Sequence, residues 1–253
     1  ERRLEDHTIG EQRAALVLGE QVHIVDLDDT LALVRRAEAA GFCALVLTLD
    51  APVQMASREA MRAGPAWPAG EIVANLAQQS LPARRELDAD ASLIFQGAMA
   101  DAPDWDDVAW LRRATRLPIL AKGALHPDDA ARLVALGVDG LIVSNHGGRA
   151  LASAPATLTV LPAIRARVGA AVPVLLDGGI RSGSDAFKAI ALGADAVLVG
   201  RPQLHALAVA GARGVAHLLK LLRDEFEVTM ALAGCFNLAD IGRHTLLERT
   251  NRC

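Results

Sequence analysis

Tyrosine is missing altogether from the 253 residues, and aromatic side chains make up only 3% of them. Any site built by this chain must do without a phenol. Cysteine is scarce as well. Cys43, Cys235 and Cys253 are odd in number and show no metal-ligand spacing, so a reducing compartment, the cytoplasm, is the expected setting. Positive charge is not in excess either. The net charge is −4 and no basic tract stands out, which argues against a nucleic-acid partner. No uninterrupted apolar run reaches spanning length, so no membrane span is expected. Residues 1–12 are charged and lack the apolar centre of a signal peptide.

What the chain does have is core-forming material. With 52% apolar and 22% charged residues, it can fill one large α/β barrel or two small domains. Residues 13–19 (RAALVLG) fit a short strand or part of a helix, and 21–27 (QVHIVDL) alternate weakly, as a strand does. Residues 30–40 predict a helix, with Leu31, Val34 and Ala37 at helical spacing, Asp28 or Asp29 as its cap and Gly41 as its stop. Residues 43–49 (CALVLTL) form a buried strand ending in Asp50. The stretch 55–104 is irregular, with Gly64-Pro65, Trp67-Pro68 and Leu81-Pro82. A loop this long inside a compact fold usually serves function, so 53–104 is expected to be a lid region.

From residue 105 the rhythm is regular. Helices are expected at 105–115, 126–137, 157–168 and 184–192, with one or two more in 204–230. Strands are expected at 118–122, 140–144, 173–176 and 196–199. Alternation of this kind means βαβ units and a parallel sheet. The polar residues Asp50, Lys122, His146, Asp177 and Arg201 all fall at strand C-terminal ends, so one face gathers the chemistry, as in a (β/α)8 barrel. Six strands are legible, or seven with 13–19, whereas closure takes eight. The expected architecture is a single α/β barrel domain over 1–253, a (β/α)8 TIM barrel with its first one or two strands lacking or altered.

Two constellations carry the chemistry. In the first, LIVSNHGGR at 141–149, an apolar run stops at a polar tip, which puts His146 and Arg149 at the functional end of a strand. Gly147 and Gly148 allow close backbone approach there. The plainer reading is a buried histidine and a solvated arginine. In the second, GGIR at 178–181 and GRP at 200–202 offer backbone donors and an arginine each, the means by which barrels hold phosphate. Two ordinary turns are the alternative. Asp177 could accept from ligand hydroxyls. A ligand anion, an electron-rich heterocycle or a salt bridge could satisfy Lys122, which ends a buried strand.

The segments LPILAKG (117–123), GLIVSNHGGR (140–149), PVLLDGGIRSGSDAFKAIALGADAVLVGRP (173–202), LLRDEFEVTMALAGC (221–235) and LVRRAEAAGFCALVLTLDAP (33–52) resemble the FMN-dependent α-hydroxy acid oxidases and dehydrogenases. This is the family of glycolate oxidase, lactate oxidase, mandelate dehydrogenase and flavocytochrome b2. SNHGGR is its most specific motif; the DGG and GRP turns occur in other phosphate-binding barrels. The resemblance implies an FMN enzyme that converts an L-2-hydroxy acid to a 2-oxo acid. His146 matches the base that takes the hydroxyl proton while hydride passes to flavin N5, and Asp50 matches its carboxylate partner. Arg149 matches the substrate-carboxylate arginine. Lys122 matches the cation at the flavin N1–O2 edge. Gln21 and Thr48 match residues touching the ring, Asp177 a ribityl contact, and Gly179, Arg181, Gly200 and Arg201 the phosphate site. Ser144 and Gly178 are placed with these cofactor contacts.

The chain also departs from the pattern. The family's Gln-x-Tyr tyrosine falls at His23, and its earlier tyrosine has no counterpart. Ungapped counting puts Ser57 at a second carboxylate-binding arginine, leaving Arg58 as the substitute. The run Arg149-Ala150-Leu151-Ala152 lacks the family's acidic residue. These departures motivate a second reading, a degenerate relative with weak or no flavin binding. A third, another phosphate-binding barrel enzyme such as an isomerase, gives no reason for His146 and Arg149 together. The resemblance further implies a homotetramer; oxygen, a quinone or a cytochrome stands open as the electron acceptor.

Overall fold

The computed structural model describes residues 27–52, 62, 86–100 and 102–247. The chain divides into two compact units, Glu1–Leu120 and Ala121–Cys253.

The first unit begins, among the described residues, with α1 (Leu27–Ala39), whose Thr30, Val34 and Ala37 are buried at helical spacing. The sequence suggests a strand through Leu27 and an aspartate cap. Instead Leu27, Asp28 and Asp29 form the first helical turn, where two carboxylates offset the positive end of the helix dipole. The rest of that expected strand, and the segment 13–19, lie outside the described residues. Gly41 stops the helix as expected. Its N–H donates to Glu38 O and that of Phe42 to Ala37 O, both at 3.1 Å, satisfying carbonyls that the helix leaves open.

β1 (Leu45–Thr48) follows, with Leu45, Val46 and Leu47 almost wholly buried. Within the expected lid region, the described part carries one regular piece, a π-helical turn at Leu93–Ala98. The Ser92 hydroxyl caps it, accepting from the N–H groups of Ile94 and Phe95. α2 (Trp105–Ala114) is entered through a reciprocal cap: Asp104 accepts from the N–H groups of Asp106 and Asp107, and Asp107 accepts from that of Asp104. Such a pair satisfies donors at both sides of the helix start. Val108 and Leu111 are its buried residues. The Leu45 N–H reaches Pro118 O at 2.8 Å, just before β2 (Ile119–Lys122).

The unit boundary falls inside β2. The second unit then alternates α3 (Pro127–Ala135), β3 (Gly140–Val143), α4 (Thr157–Val168), β4 (Val174–Leu176), α5 (Gly183–Ala191), β5 (Ala196–Val197) and α6 (Arg201–Leu232). Its strands lie in the order β2-β3-β4-β5. β3 and β4 are parallel with Leu141 opposite Val174 and Val143 opposite Leu176. β4 and β5 are parallel with Leu176 opposite Val197. Leu141, Ile142 and Val143 are fully buried, which matches a strand covered on both faces. Each such side chain contributes about 1.5–3 kcal/mol through burial.

This register fixes the functional end of the sheet. Asp177 N–H donates to Val143 O and Leu198 N–H to Leu176 O, each at 2.8 Å. The ladder therefore runs on to the residues at the strand tips. α6 starts at Arg201, three residues before the position suggested by the sequence, with Pro202 next to it in the first turn. That is the place where a missing N–H costs nothing. It is two helices, broken at Ala210 and Gly211.

Packing between α5 and α6 is close. Phe187, Ala191, Cys235 and Ile241 form a buried cluster, with Ile190, Phe226, Met230 and Leu246 packed against it. Arg165 on α4 stitches several loops together. Its Nε donates to Gly193 O at 2.7 Å, and its Nη1 to Gly169 O and Val172 O at 3.0 and 2.7 Å. Its Nη2 pairs with Asp195, whose carboxylate also accepts the Val174 N–H. Cys43 is exposed and Cys235 buried, and both are free thiols.

Candidate active site

Four strand tips of the second unit converge on a cavity of about 700 Å³ lined by Lys122, His146, Arg149, Asp177, Gly178–Arg181, Leu198 and Gly200–His205. Its floor is a hydrogen-bonded knot centred on Ser144, which is fully buried. The Ser144 hydroxyl donates to Asp177 Oδ2 at 2.6 Å. It accepts from Lys122 Nζ at 2.9 Å and from the backbone N–H of His146 at 3.1 Å. One donor and two acceptor sites are all a hydroxyl has, so its capacity is used in full. Lys122 Nζ also lies 3.3 Å from Asp177 Oδ2. Of the partners open to Lys122 in the sequence, a salt bridge is the one present, and it makes a buried ammonium affordable.

The loop after β3 is held in an uncommon shape. His146 has φ +53°, the one non-glycine residue with positive φ among the described residues. That conformation costs about 1–3 kcal/mol and clusters at functional sites. Three bonds hold it. Ser144 takes the His146 N–H, Asn145 Oδ1 accepts from Gly147 N–H at 3.1 Å, and Arg201 Nη2 donates to Gly147 O at 3.0 Å. Asn145 Nδ2 reaches on to Pro155 O at 3.2 Å.

The same cavity also carries groups suited to an anion. Gly178 has φ +94°, and a Cβ there would stand 2.7 Å from Asn145 Oδ1, so only glycine fits. Its carbonyl accepts from Thr157 Oγ1 at 3.0 Å. Gly179 and Gly200 face open space, leaving their backbone accessible. Arg181 and Arg201 are exposed at the rim. Two guanidinium groups, bare glycine backbone and the start of a long helix suit a phosphate dianion. No group of three metal-ligating side chains occurs among the described residues.

The structure thus brings Lys122, His146, Arg149, Asp177, Gly178, Gly179, Arg181, Gly200 and Arg201 to one cavity, with Ser144 buried behind it and bonded to Lys122 and Asp177. Thr48 ends β1 and Asp50 follows two residues later, both half-buried, in the first unit. Gln21, His23 and Arg58 lie outside the described residues. Sequence reading missed Asn145 and Thr157. Asparagine before a Gly-Gly pair was an available sign, since its side chain bonds its own turn. Thr157 gave no sign, because its partner is 21 residues away.

An α/β fold whose strand tips set two glycine turns and their arginines beside a loop-borne histidine and arginine defines the class of barrels that tether a cofactor or substrate by its phosphate. The comparisons make this specific: residues 9–248 match the FMN-dependent dehydrogenase family, and the chain belongs to it. It is 61% identical over 219 residues to an L-lactate oxidase of Alicycliphilus denitrificans, covering 87% of this chain and 60% of that protein. It is 45% identical over 228 residues to a peroxisomal (S)-2-hydroxyacid oxidase of Arabidopsis thaliana, covering 89% and 61%. A crystal structure of mandelate oxidase with benzoyl-formic acid superposes with a TM-score of 0.72 at 43% identity, covering 85% of this chain and 58% of that one. A mandelate oxidase variant with a C4a-OH-FMN adduct gives 0.73 at 42%, covering 85% and 59%. The family is FMN-dependent and its fold class is the (β/α)8 TIM barrel, to which the described residues of this chain contribute a five-stranded sheet. The chain spans about three fifths of the length of the relatives it matches.

Proposed function

We propose that the protein oxidises a small L-2-hydroxy acid, such as L-lactate, to its 2-oxo acid, using FMN held in the cavity. One observation carries this reading: a single cavity is lined both by the two glycine turns with their arginines and by a histidine, an arginine and a lysine. The Gly178–Arg181 and Gly200-Arg201 turns would hold the phosphate group. When bound, FMN supplies the two-electron acceptor for the hydride leaving the substrate's α-carbon.

The chain's own residues do the rest. Arg149 binds the substrate carboxylate through its planar fork. His146 takes the hydroxyl proton, and the loop geometry around it fixes the presentation of its ring. Asp50 serves as the carboxylate partner that stabilises the imidazolium formed. Lys122, held in place by Asp177 and Ser144, would offer a fixed cation to a bound flavin. Thr48 and Gln21 contact the ring, and His23 and Arg58 complete the substrate pocket.

In this reading the chain works as one FMN-binding barrel domain with 53–104 as its lid, in a homotetramer in the cytoplasm. Exposed Leu204, Leu207, Val209, Leu219 and Val228 on α6 support association with further chains. No described helix is long and apolar enough to cross a membrane. Oxygen, a quinone or a cytochrome reoxidises the flavin.

Anaerobic mixing of FMN-loaded protein with L-lactate tests the proposal, with loss of flavin absorbance as the signal. His146→Ala should stay yellow and lose reduction by about 10²–10⁴-fold. Equal reduction rates in the variant and the parent would refute the role of His146. A protein that takes up no FMN would favour the degenerate reading.

A further inference from the structure

We propose that Arg201 is a positioning residue that couples the phosphate pocket to the loop bearing His146. Arg201 opens α6 at the cavity rim, where the anion-cradling turns meet. Its guanidinium is also committed elsewhere, with Nη2 donating to Gly147 O at 3.0 Å. The group lies close against Gly147, whose Cβ, were one present, would stand 3.1 Å from Nη2 and 3.6 Å from Cζ. Gly147 follows His146 directly, and both residues have positive φ, +62° and +53°.

The loop carries short-range bonds of its own. These are Asn145 Oδ1 to Gly147 N–H, Gly148 N–H to Asn145 O, and Arg149 N–H to His146 O. Ser144 anchors the start of the loop. Arg201 is the contact on the peptide between His146 and Arg149 that comes from 54 residues away. A guanidinium carries five donors in a planar fork. It can keep Gly147 O on one arm and take phosphate oxygens on the others, and the second engagement fixes the orientation of the first. Occupancy of the phosphate pocket thereby steadies the loop that presents the base and the carboxylate anchor.

Arg181 provides the contrast. It sits on the other anion-cradling turn, where its backbone N–H donates to Asp185, and among the described residues it has no hydrogen bond to the 146–149 loop. Both arginines serve the phosphate; only Arg201 also holds the loop. The inference rests on the flavoenzyme reading for its kinetic arm alone.

Arg201→Lys keeps the charge and removes the fork. Hydrogen exchange of the ligand-free protein should then speed up at the N–H groups of residues 147–149 by about threefold to tenfold, the equivalent of one lost hydrogen bond. Arg181→Lys should leave those amides unchanged. With the variant saturated by FMN, as judged by quenched flavin fluorescence, Arg201→Lys should retain a lowered kcat. Parent-like loop exchange in Arg201→Lys, or full recovery of its kcat on saturation, would overturn the proposal. Should Arg201→Lys fail to fold, the unaltered protein answers with inorganic phosphate as the probe. Protection of residues 147–149 together with 179–181 supports coupling, and protection of 179–181 alone overturns it. Protection of neither removes the phosphate site, and with it the FMN end of the functional reading.

Discussion

Ser144→Ala deletes one oxygen and disturbs three partners, so it measures what holds the floor of the site together. The hydroxyl is fully buried and bonded to Asp177, Lys122 and the His146 N–H. Two of these bonds involve charged groups whose side chains are only 17% and 12% exposed, so solvent cannot easily replace the lost partner. Bonds to charged groups contribute about 1.5–3 kcal/mol each, and a neutral bond about 1 kcal/mol. The sum overstates the loss, because Lys122 and Asp177 remain 3.3 Å apart and close on each other. The expected destabilisation is therefore about 2–4 kcal/mol. Urea unfolding should show it as a lower midpoint with an unchanged slope. Because the His146 N–H also loses its acceptor, FMN-saturated variant should in addition turn over more slowly. A midpoint equal to that of the parent would refute the claim that this hydroxyl is the hub of the site.

Two further substitutions test the scaffold. Gly183→Ala places a Cβ 2.1 Å from the Phe226 backbone nitrogen, where neither helix can yield cheaply, and should cost about 3 kcal/mol in thermal or urea unfolding. Arg165→Met keeps the side-chain length but strips donors from Gly193, Gly169, Val172 and Asp195. A loss of about 2–4 kcal/mol is expected, with FMN affinity of the folded fraction unchanged in a fluorescence titration.

How much of this was legible in the chain depends on the range of the interaction. α4 and the tips of β3 and β4 could be read directly. The run Leu141, Ile142, Val143 can only be a covered strand, and the polar residues after it can only stand at its end. Val34 and Ala37 announced the buried face of α1 for the same local reason. The π-helical turn at Leu93–Ala98 gave no such sign. It rests on the Ser92 cap, which any irregular serine-containing stretch could imitate. Lys122 shows where local reading stops. Its burial implied a partner, yet naming Asp177 as the carboxylate required the parallel register that sets Val143 opposite Leu176 and so brings Ser144 beside Asp177.

Arg201 carries the same argument furthest. A glycine–arginine–proline turn after a strand suggests a phosphate donor, and nothing in those three letters mentions residue 147. The bond to Gly147 exists because β5 and β3 flank β4 in one parallel sheet, so their tips open on the same side. A residue can therefore be assigned its ligand from its local sequence and still owe its second role to the sheet. In the proposed reading that second role falls on the loop bearing His146, so one side chain would both anchor the cofactor and position the base.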